Sequence, residues 1–520
     1  MKRFSIAMIL LAVIAYVNVS ATIITIPEDY PTIQQGIDAG VDGDTVLVLP
    51  GTYMENVHFL GRNIVLGSLF LITGDTSYIS STIINAELPG HVVTFQDCVN
   101  ENAQIIGFLI KEGLWGGIYC YNSNPTIRNN RIIENFGIGE TGGGITCIAA
   151  YPTIIDNAII GNSTNGRGGG IYCWYSDPYI ANNIISENYS GDGYGGGIFC
   201  EYSNATILNN VICGNSMGHA DSYGGGIACM SLSNATVTGN VIKDNQAVWG
   251  GGIVCSGFSD AVIRNNIISD NKAEYGGGIL SCFEAIPTIT NNTICKNWAV
   301  SGGGIYVKWA SNPIITNTIF WADSAHNKTE IYAESLSSAT LIYCNVQDTV
   351  WPGVGNISVD PLFRDGADDD YHLMSIACGD IADSPCIDTG DPLILDSLLD
   401  CGWGLGRVRS DIGAYGGGDS VTAGVVANNP QLPDEFTLSQ NYPNPFNCET
   451  KIKFTISKPD RVKLTVYDLV GREVRTLINE YRQAGIHTTV FDATGLSSGV
   501  YFYRLQAGEA VQTRAMVLLK

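Results

Sequence analysis

The chain has 520 residues, long enough for a large core and a second domain. Residues 22–430 carry 14 Lys+Arg against 41 Asp+Glu, a charge near −27, whereas residues 431–520 carry 11 against 9. So acidic a surface repels nucleic acid, anionic lipid and polyuronates unless divalent cations bridge the charges, and it suits neutral ligands or calcium better.

The first residues, MKRFSIAMILLAVIAYVNVSA, place Lys2 and Arg3 before an apolar run and end on Val19-Ser20-Ala21, the small-residue pattern read by signal peptidase. Residues 1–21 are therefore expected to be a cleaved secretory signal. The apolar run of about 12 residues is short of the ~20 that cross a bilayer, and no later segment qualifies, so no integral membrane segment is expected once the signal is removed. In residues 26–57, an amphipathic stretch around Ile33, Ile37 and Val41 reads as a capping helix, within a capping segment 26–45, and DTVLVLPGTY reads as the first strand.

A repeat follows over residues 116–320. GGGIYC at 168–173 returns as GGGIFC at 195–200, GGGIAC at 224–229 and GGGIVC at 250–255. The marker isoleucines Ile118, Ile145, Ile171, Ile198, Ile227, Ile253, Ile279 and Ile305 stand 26 to 29 residues apart. A fixed period of this kind signals a solenoid. The apolar runs are short, β-branched and broken by Gly, Asn and Ser-Asn-Pro turns, which leaves no room for a helix, so each unit is several short strands and their turns. Strands in fixed register stack about 4.8 Å apart in parallel sheets that close a prism, giving an all-β, parallel β-helix of about 26-residue coils over 22–420.

Period-2 alternation sends Ile171 and Cys173 inward and Tyr172 outward. The cysteines form a column, Cys120, Cys147, Cys173, Cys200, Cys229 and Cys255, which is expected to be a core ladder because parallel neighbours present their Cβ atoms poorly for a disulfide. Two polar columns run beside it: Asn130, Asn157, Asn183, Asn210, Asn240, Asn266 and Asn292, and, five residues on, Asn135, Asn162, Asn188, Asn215, Asn245, Asn271 and Asn297. Stacked amides donate to one coil and accept from the next. The glycines suit a corner that needs positive φ or close backbone approach.

This organisation, with its capping segment, resembles the right-handed parallel β-helix superfamily of pectate lyases, polygalacturonases and pectin methylesterases. The resemblance implies that any active site lies on an exposed face of neighbouring coils. The esterase Phe-Ile-Phe-Gly pattern and the polygalacturonase Asn-Thr-Asp and Gly-His-Gly patterns are missing, and the six histidines share no motif. Arg128, Arg131, Arg167, Arg264 and Lys308 are basic groups of the kind a lyase uses, without a neighbouring acid cluster that the spacing places. No catalytic residue is assigned.

Two features stand out. Tyr194, Tyr223, Trp249 and Tyr275 lie four residues before the marker on consecutive coils, where they either stack on sugar rings or shield the glycine corner by packing on one another. The segment 360–418, with DPLFRDGADDDYHL, SPCIDTGDP and DIGAYGG, is similar to the closing segment of many secreted bacterial repeat proteins. Its acids Asp365, Asp368, Asp369, Asp370, Asp388 and Asp391 are either calcium ligands or a solvated acidic loop.

After a linker at 421–435, residues 436–520 alternate like an antiparallel sandwich. FTLSQNYPNPFNCETKIKF, VYDLVGREV, SSGVYFYRL and the terminal MVLLK resemble the type A sorting domain of the type IX secretion system, an Ig-like fold, with Cys448 where the family usually has proline. The resemblance implies engagement of that machinery and display on, or release from, the surface of a Gram-negative bacterium. The sequence thus leaves three functions open: a carbohydrate- or surface-interacting protein, a polysaccharide lyase or hydrolase, and a non-catalytic adhesin or scaffold.

Overall fold

In the computed structural model, residues 21–417 are described except 87, 98, 140, 328–329, 367–368, 397–398, 400 and 403, together with the strands and some turns between 437 and 518. The signal segment, the linker, Cys98 and Cys448 lie outside the described residues.

Three parallel sheets of 13, 12 and 11 strands wind as a right-handed β-helix of about 12 turns. The strand that carries the repeat keeps its register from coil to coil: Ile118 pairs Ile145, then Ile171, Ile198, Ile227, Ile253, Ile279, Ile305 and Ile331. In the same ladder Cys120, Cys147, Cys173, Cys200, Cys229 and Cys255 pair in turn. All six are free thiols with no exposed surface. Hydrogen bonding to the neighbouring thiol, together with burial, pushes Cys147, Cys173, Cys200 and Cys229 well above the ordinary thiol range. A thiol reagent is therefore expected to leave these positions untouched in the native protein and to label them in denaturant; labelling of the column without unfolding would contradict the buried register.

Both asparagine columns are continuous. Asn183 donates from its backbone N and its Nδ2 to Asn210 Oδ1, and Asn210 does the same to Asn240 Oδ1. The second column runs from Asn135 to Asn297 and ends on Asp323, whose Oδ1 accepts both donors of Asn297 at 2.7 and 2.9 Å. The glycines have separate reasons. Gly195 sits at φ 60°, and a Cβ there would stand 2.5 Å from Phe199 Cβ; a Cβ on Gly196 would stand 2.6 Å from the Gly225 carbonyl oxygen. The first must turn left-handed and the second must let the next coil close in.

At the N-terminal end the helix Ile33–Ala39 buries Ile33 and Ile37 on the open coil, with the Thr32 hydroxyl accepting from Gln35 N. Val41 falls beyond this helix and is 49% exposed, and Ile23–Ile26, ahead of the cap, is the first strand, so Thr45–Val48 is the second. At the other end Trp351 packs on the core and Asn356 caps the last coil by accepting from Cys344 N. Residues 360–417 fold back along the outer corner of the last coils: Asn265 Nδ2 donates to the Ala414 and Gly416 carbonyls, and Asn291 Nδ2 to the Asp411 carbonyl. A disulfide, Cys378–Cys401, closes a loop of this strap.

The C-terminal unit has two antiparallel sheets, one of Thr437–Leu438, Glu449–Ile456 and Gly485–Asp492, the other of Glu473–Arg482, Asp460–Tyr467, Gly499–Ala507 and Ala510–Leu518. Between them lie Ile452, Phe454, Val462, Leu464, Phe491, Tyr503 and Met516, an Ig-like core.

Candidate binding face

The turn before the repeat strand stacks like the strands do. Tyr194 pairs Tyr223, Tyr223 pairs Trp249 and Trp249 pairs Tyr275, and the position is filled by Arg167 one coil earlier and by Ser301 one coil later. Consecutive ring centroids stand 5.9, 5.9 and 4.1 Å apart with interplanar angles of 6°, 12° and 14°. The rings lie half-buried over a second apolar cluster outside the prism, which includes Tyr172, Phe199, Val254, Leu280 and Tyr306. Tyr172 does point away from the prism interior, yet only 1% of it is exposed, because this column covers it.

Stacking at this distance uses the ring faces. The last face at one end belongs to Arg167, 5.2 Å from the Tyr194 centroid and paired with Glu201 at 2.9 Å. At the other end the Tyr275 ring meets Tyr306, with centroids 5.3 Å apart and tilted by 35°, and the buried Lys308 ammonium stands 5.6 Å from the Tyr275 centroid and 4.5 Å from that of Trp249. Only ring edges therefore look outward, and the geometry favours the packing role over the sugar-stacking one. Burial pushes the Tyr223 phenol up to about 12.

A groove of about 480 Å³ opens beside this column, which no residue pattern announced. The coil from Ile198 to Ile227 is the longest between marker isoleucines, at 29 residues, and its extra length, within residues 217–222, builds one wall. Gln246, Lys272 and Glu274 line the groove from the following coils, and Trp298 lines it one coil further on. Trp298 is 37% exposed, with Lys272 Nζ 5.1 Å from its ring and His326 edge-on at 6.1 Å. A half-exposed indole among an ammonium, an amide, a carboxylate and His219 offers an apolar platform with hydrogen-bond donors and acceptors around it.

The described acids of the closing segment are spread over several local contacts. Asp368 lies outside the described residues. Asp369 pairs Lys243 at 3.0 Å and Lys296 at 3.7 Å, and Asp370 meets His372 Nδ1 at 2.6 Å. Asp388 accepts from Arg407 N and Asp391 from Leu393 N, while Asp365 sits opposite Asp370 in a short strand pair. The oxygens of Asp369, Asp370, Asp388 and Asp391 thus meet N–H groups, ammonium or an imidazole, and no three potential metal ligands cluster among the described residues.

Two pairs of acids that no motif singled out are buried: Asp323 with Glu330 where the second asparagine column ends, and Asp396 with Asp411 in the strap. Asp323 Oδ2 and the Glu330 carboxyl oxygens receive no hydrogen bond from another donor group among the described residues, and the two carboxyls face each other. Burial raises the pKa of all four.

Comparison with known proteins agrees with this architecture. The family described as right handed beta helix region matches in three overlapping stretches, 53–242, 117–283 and 181–320, and the secretion system C-terminal sorting domain matches 440–519. No curated protein matches the chain. Among solved structures, the chain is similar to the enzymatically active domain of tailspike protein 4 of bacteriophage CBA120, with 10% identity and a TM-score of 0.30. That alignment covers 91% of this chain and 63% of the phage chain, so the chain spans less than two thirds of the domain it matches, and a likeness of this size carries no information on activity. No helix among the described residues is long and apolar enough to cross a membrane. The chain belongs to the right-handed parallel β-helix family and ends in a type IX secretion sorting domain, which makes it a protein exported to the cell surface or the extracellular space.

Proposed function

We propose that this protein binds carbohydrate at the cell surface or outside the cell, in the groove beside the aromatic column, with the sorting domain serving as its export address. The reading is carried by Trp298, a half-exposed ring in a concave site surrounded by Gln246, Lys272, Glu274 and His219. Pyranose rings present an apolar face and a rim of hydroxyls, and this set supplies a surface for the first and partners for the second.

The test is calorimetric titration of neutral and acidic oligosaccharides into the full exported chain, with and without Ca²⁺, followed by size analysis of the sugar. Trp298→Ala is expected to weaken the best ligand about tenfold or more, since a lost stacking contact of about 1.4 kcal/mol is a factor of ten. Binding that Trp298→Ala leaves unchanged would remove the groove from the account. Shortened sugar chains would make the protein a depolymerase.

A further inference from the structure

On the far side of the repeat strand, the turn into the next sheet carries a second apolar row. Tyr175, Tyr202, Leu232, Phe258, Phe283 and Trp309 lie on six consecutive coils and are 53%, 40%, 57%, 54%, 45% and 38% exposed. Their backbones are left-handed, with φ between 47° and 65°. That conformation costs a bulky L-residue roughly 1–2 kcal/mol and suits glycine or asparagine. The next turn of the same coils shows the ordinary choice, since its left-handed positions hold Asn182, Asn209, Asn265, Asn291 and Asn317. Tyr175 stacks on Tyr202 at 4.8 Å and Phe283 lies against Trp309 at 4.1 Å, yet about half of each side chain stays exposed on a backbone that favours small or amide residues. Packing within the row accounts for the inner part of these rings and not for their exposed outer edges.

Two residues beyond the ring row runs an exposed amide and carboxylate ladder. Asp177 Oδ1 accepts from Asn204 N, Asn204 Oδ1 from Asn234 N, Asn234 Oδ1 from Asp260 N and Asp260 Oδ1 from Ile286 N, at 2.6 to 3.0 Å. One oxygen of each holds the next coil, which leaves the outer amide or carboxylate atom toward solvent. The charges along the strip are the carboxylates Asp177, Asp260 and Glu284; Lys308 is buried beneath Trp309 and faces Glu334 at 3.9 Å. An anionic chain is repelled here.

We infer that this corner is a second binding surface, separate from the groove, for a linear neutral polysaccharide lying along the axis of the β-helix. A surface that repeats each coil, about 4.8 Å, over about 24 Å matches a polymer of repeating units better than it matches an irregular protein face. Ring edges and methyls meet the apolar faces of the sugars, and the parallel ladder meets their hydroxyls.

The test is retention of the full exported chain on cellulose, chitin and insoluble β-1,3-glucan, compared with the variant Tyr175→Asn, Tyr202→Asn, Phe258→Asn, Phe283→Asn. Because asparagine suits left-handed backbone, the variant is expected to melt at the same temperature or higher, so lost binding is not lost folding. The expected result is retention on at least one of the three, reduced tenfold or more in the variant and unchanged in Trp298→Ala, which separates this surface from the groove. Retention by none of the three, or equal retention by the variant, would overturn the inference. A concentration-dependent dimer that the variant abolishes would overturn it too, by giving the strip to a second copy of the chain.

Discussion

Asn210→Ala is expected to destabilise the β-helix by about 3–6 kcal/mol, read as a lowered midpoint in guanidinium unfolding. The side chain is 1% exposed and joins three coils. Its Oδ1 accepts the backbone N and Nδ2 of Asn183 at 2.9 and 3.0 Å, and its Nδ2 donates to Asn240 Oδ1 and to the Ile180 carbonyl. Alanine leaves the Asn183 N–H without its acceptor and removes the side-chain donor to Asn240 Oδ1 and to the Ile180 carbonyl, in a site with little room for water, while Asn183 Nδ2 keeps the Ile154 and Ala181 carbonyls. Each unpartnered buried group costs roughly 1–3 kcal/mol, and the three are neighbours, so their costs do not simply add. In a solenoid such a loss is felt by the two adjoining coils first. Ser203→Ala is the control: the Ser203 hydroxyl is buried but donates only to Glu201 O and accepts only from Ser176 N, so its loss should cost less. Equal midpoints for Asn210→Ala and the parent chain would mean that the amide column is decoration on a fold held by its isoleucines.

What the sequence made legible was whatever repeats. The marker isoleucines, the cysteine column and both asparagine columns could be placed because one register, once assumed, fixes every later coil, and the structure keeps that register from Ile118 to Ile331. The aromatic column was visible for the same reason. Its meaning was not, because whether a ring offers a face or an edge depends on the 4.1–5.9 Å between neighbours and on Phe199 and Tyr306 beneath it, which lie elsewhere in the repeat. The groove was illegible since residues 217–222 belong to one long coil and repeat nowhere, although the 29-residue interval marked the place. The exposed row was hidden by the inserted residue in the later turns, which moves the apolar position from Tyr202 to Leu232 and Phe258, one step further from the marker. In the acid-rich strap composition left calcium ligands and a solvated loop equally open, because the groups that face Asp369 and Asp370 are Lys243, Lys296 and His372, and the lysines come from coils more than 70 positions away.

The buried acids set the last expectation, that stability falls as pH rises from about 4 to about 7. Burial raises Asp396 to about 6 and Asp411 to about 7, although backbone N–H groups donate to both. Burial, reinforced for Glu330 by the Asp323 charge, also raises Asp323 and Glu330. A carboxyl whose folded pKa exceeds its unfolded one holds its proton in the native state when the unfolded chain has already lost it. Stability is then full below the unfolded value and drops by about 1.4 kcal/mol per pH unit per proton until the folded value is passed. Asp44, lowered by hydrogen bonds from Val41 and Thr22, and Asp369, lowered by Lys243, work in the other sense and lose their contribution only as pH falls below about 4. The melting temperature should therefore peak in mildly acidic solution. Asp323→Asn tests the cause, because Asn297 would donate to an amide oxygen as Asn271 does to Asn297, and the new Nδ2 would lie beside Glu330 with no proton required. The variant is expected to melt higher than the parent at pH 8 and to show a shallower fall across the window. A profile that is flat for the parent chain would mean that these carboxyls are ionised in the folded state, and a variant that melts lower at pH 8 would mean that the column ends on a carboxylate because a charge is needed there.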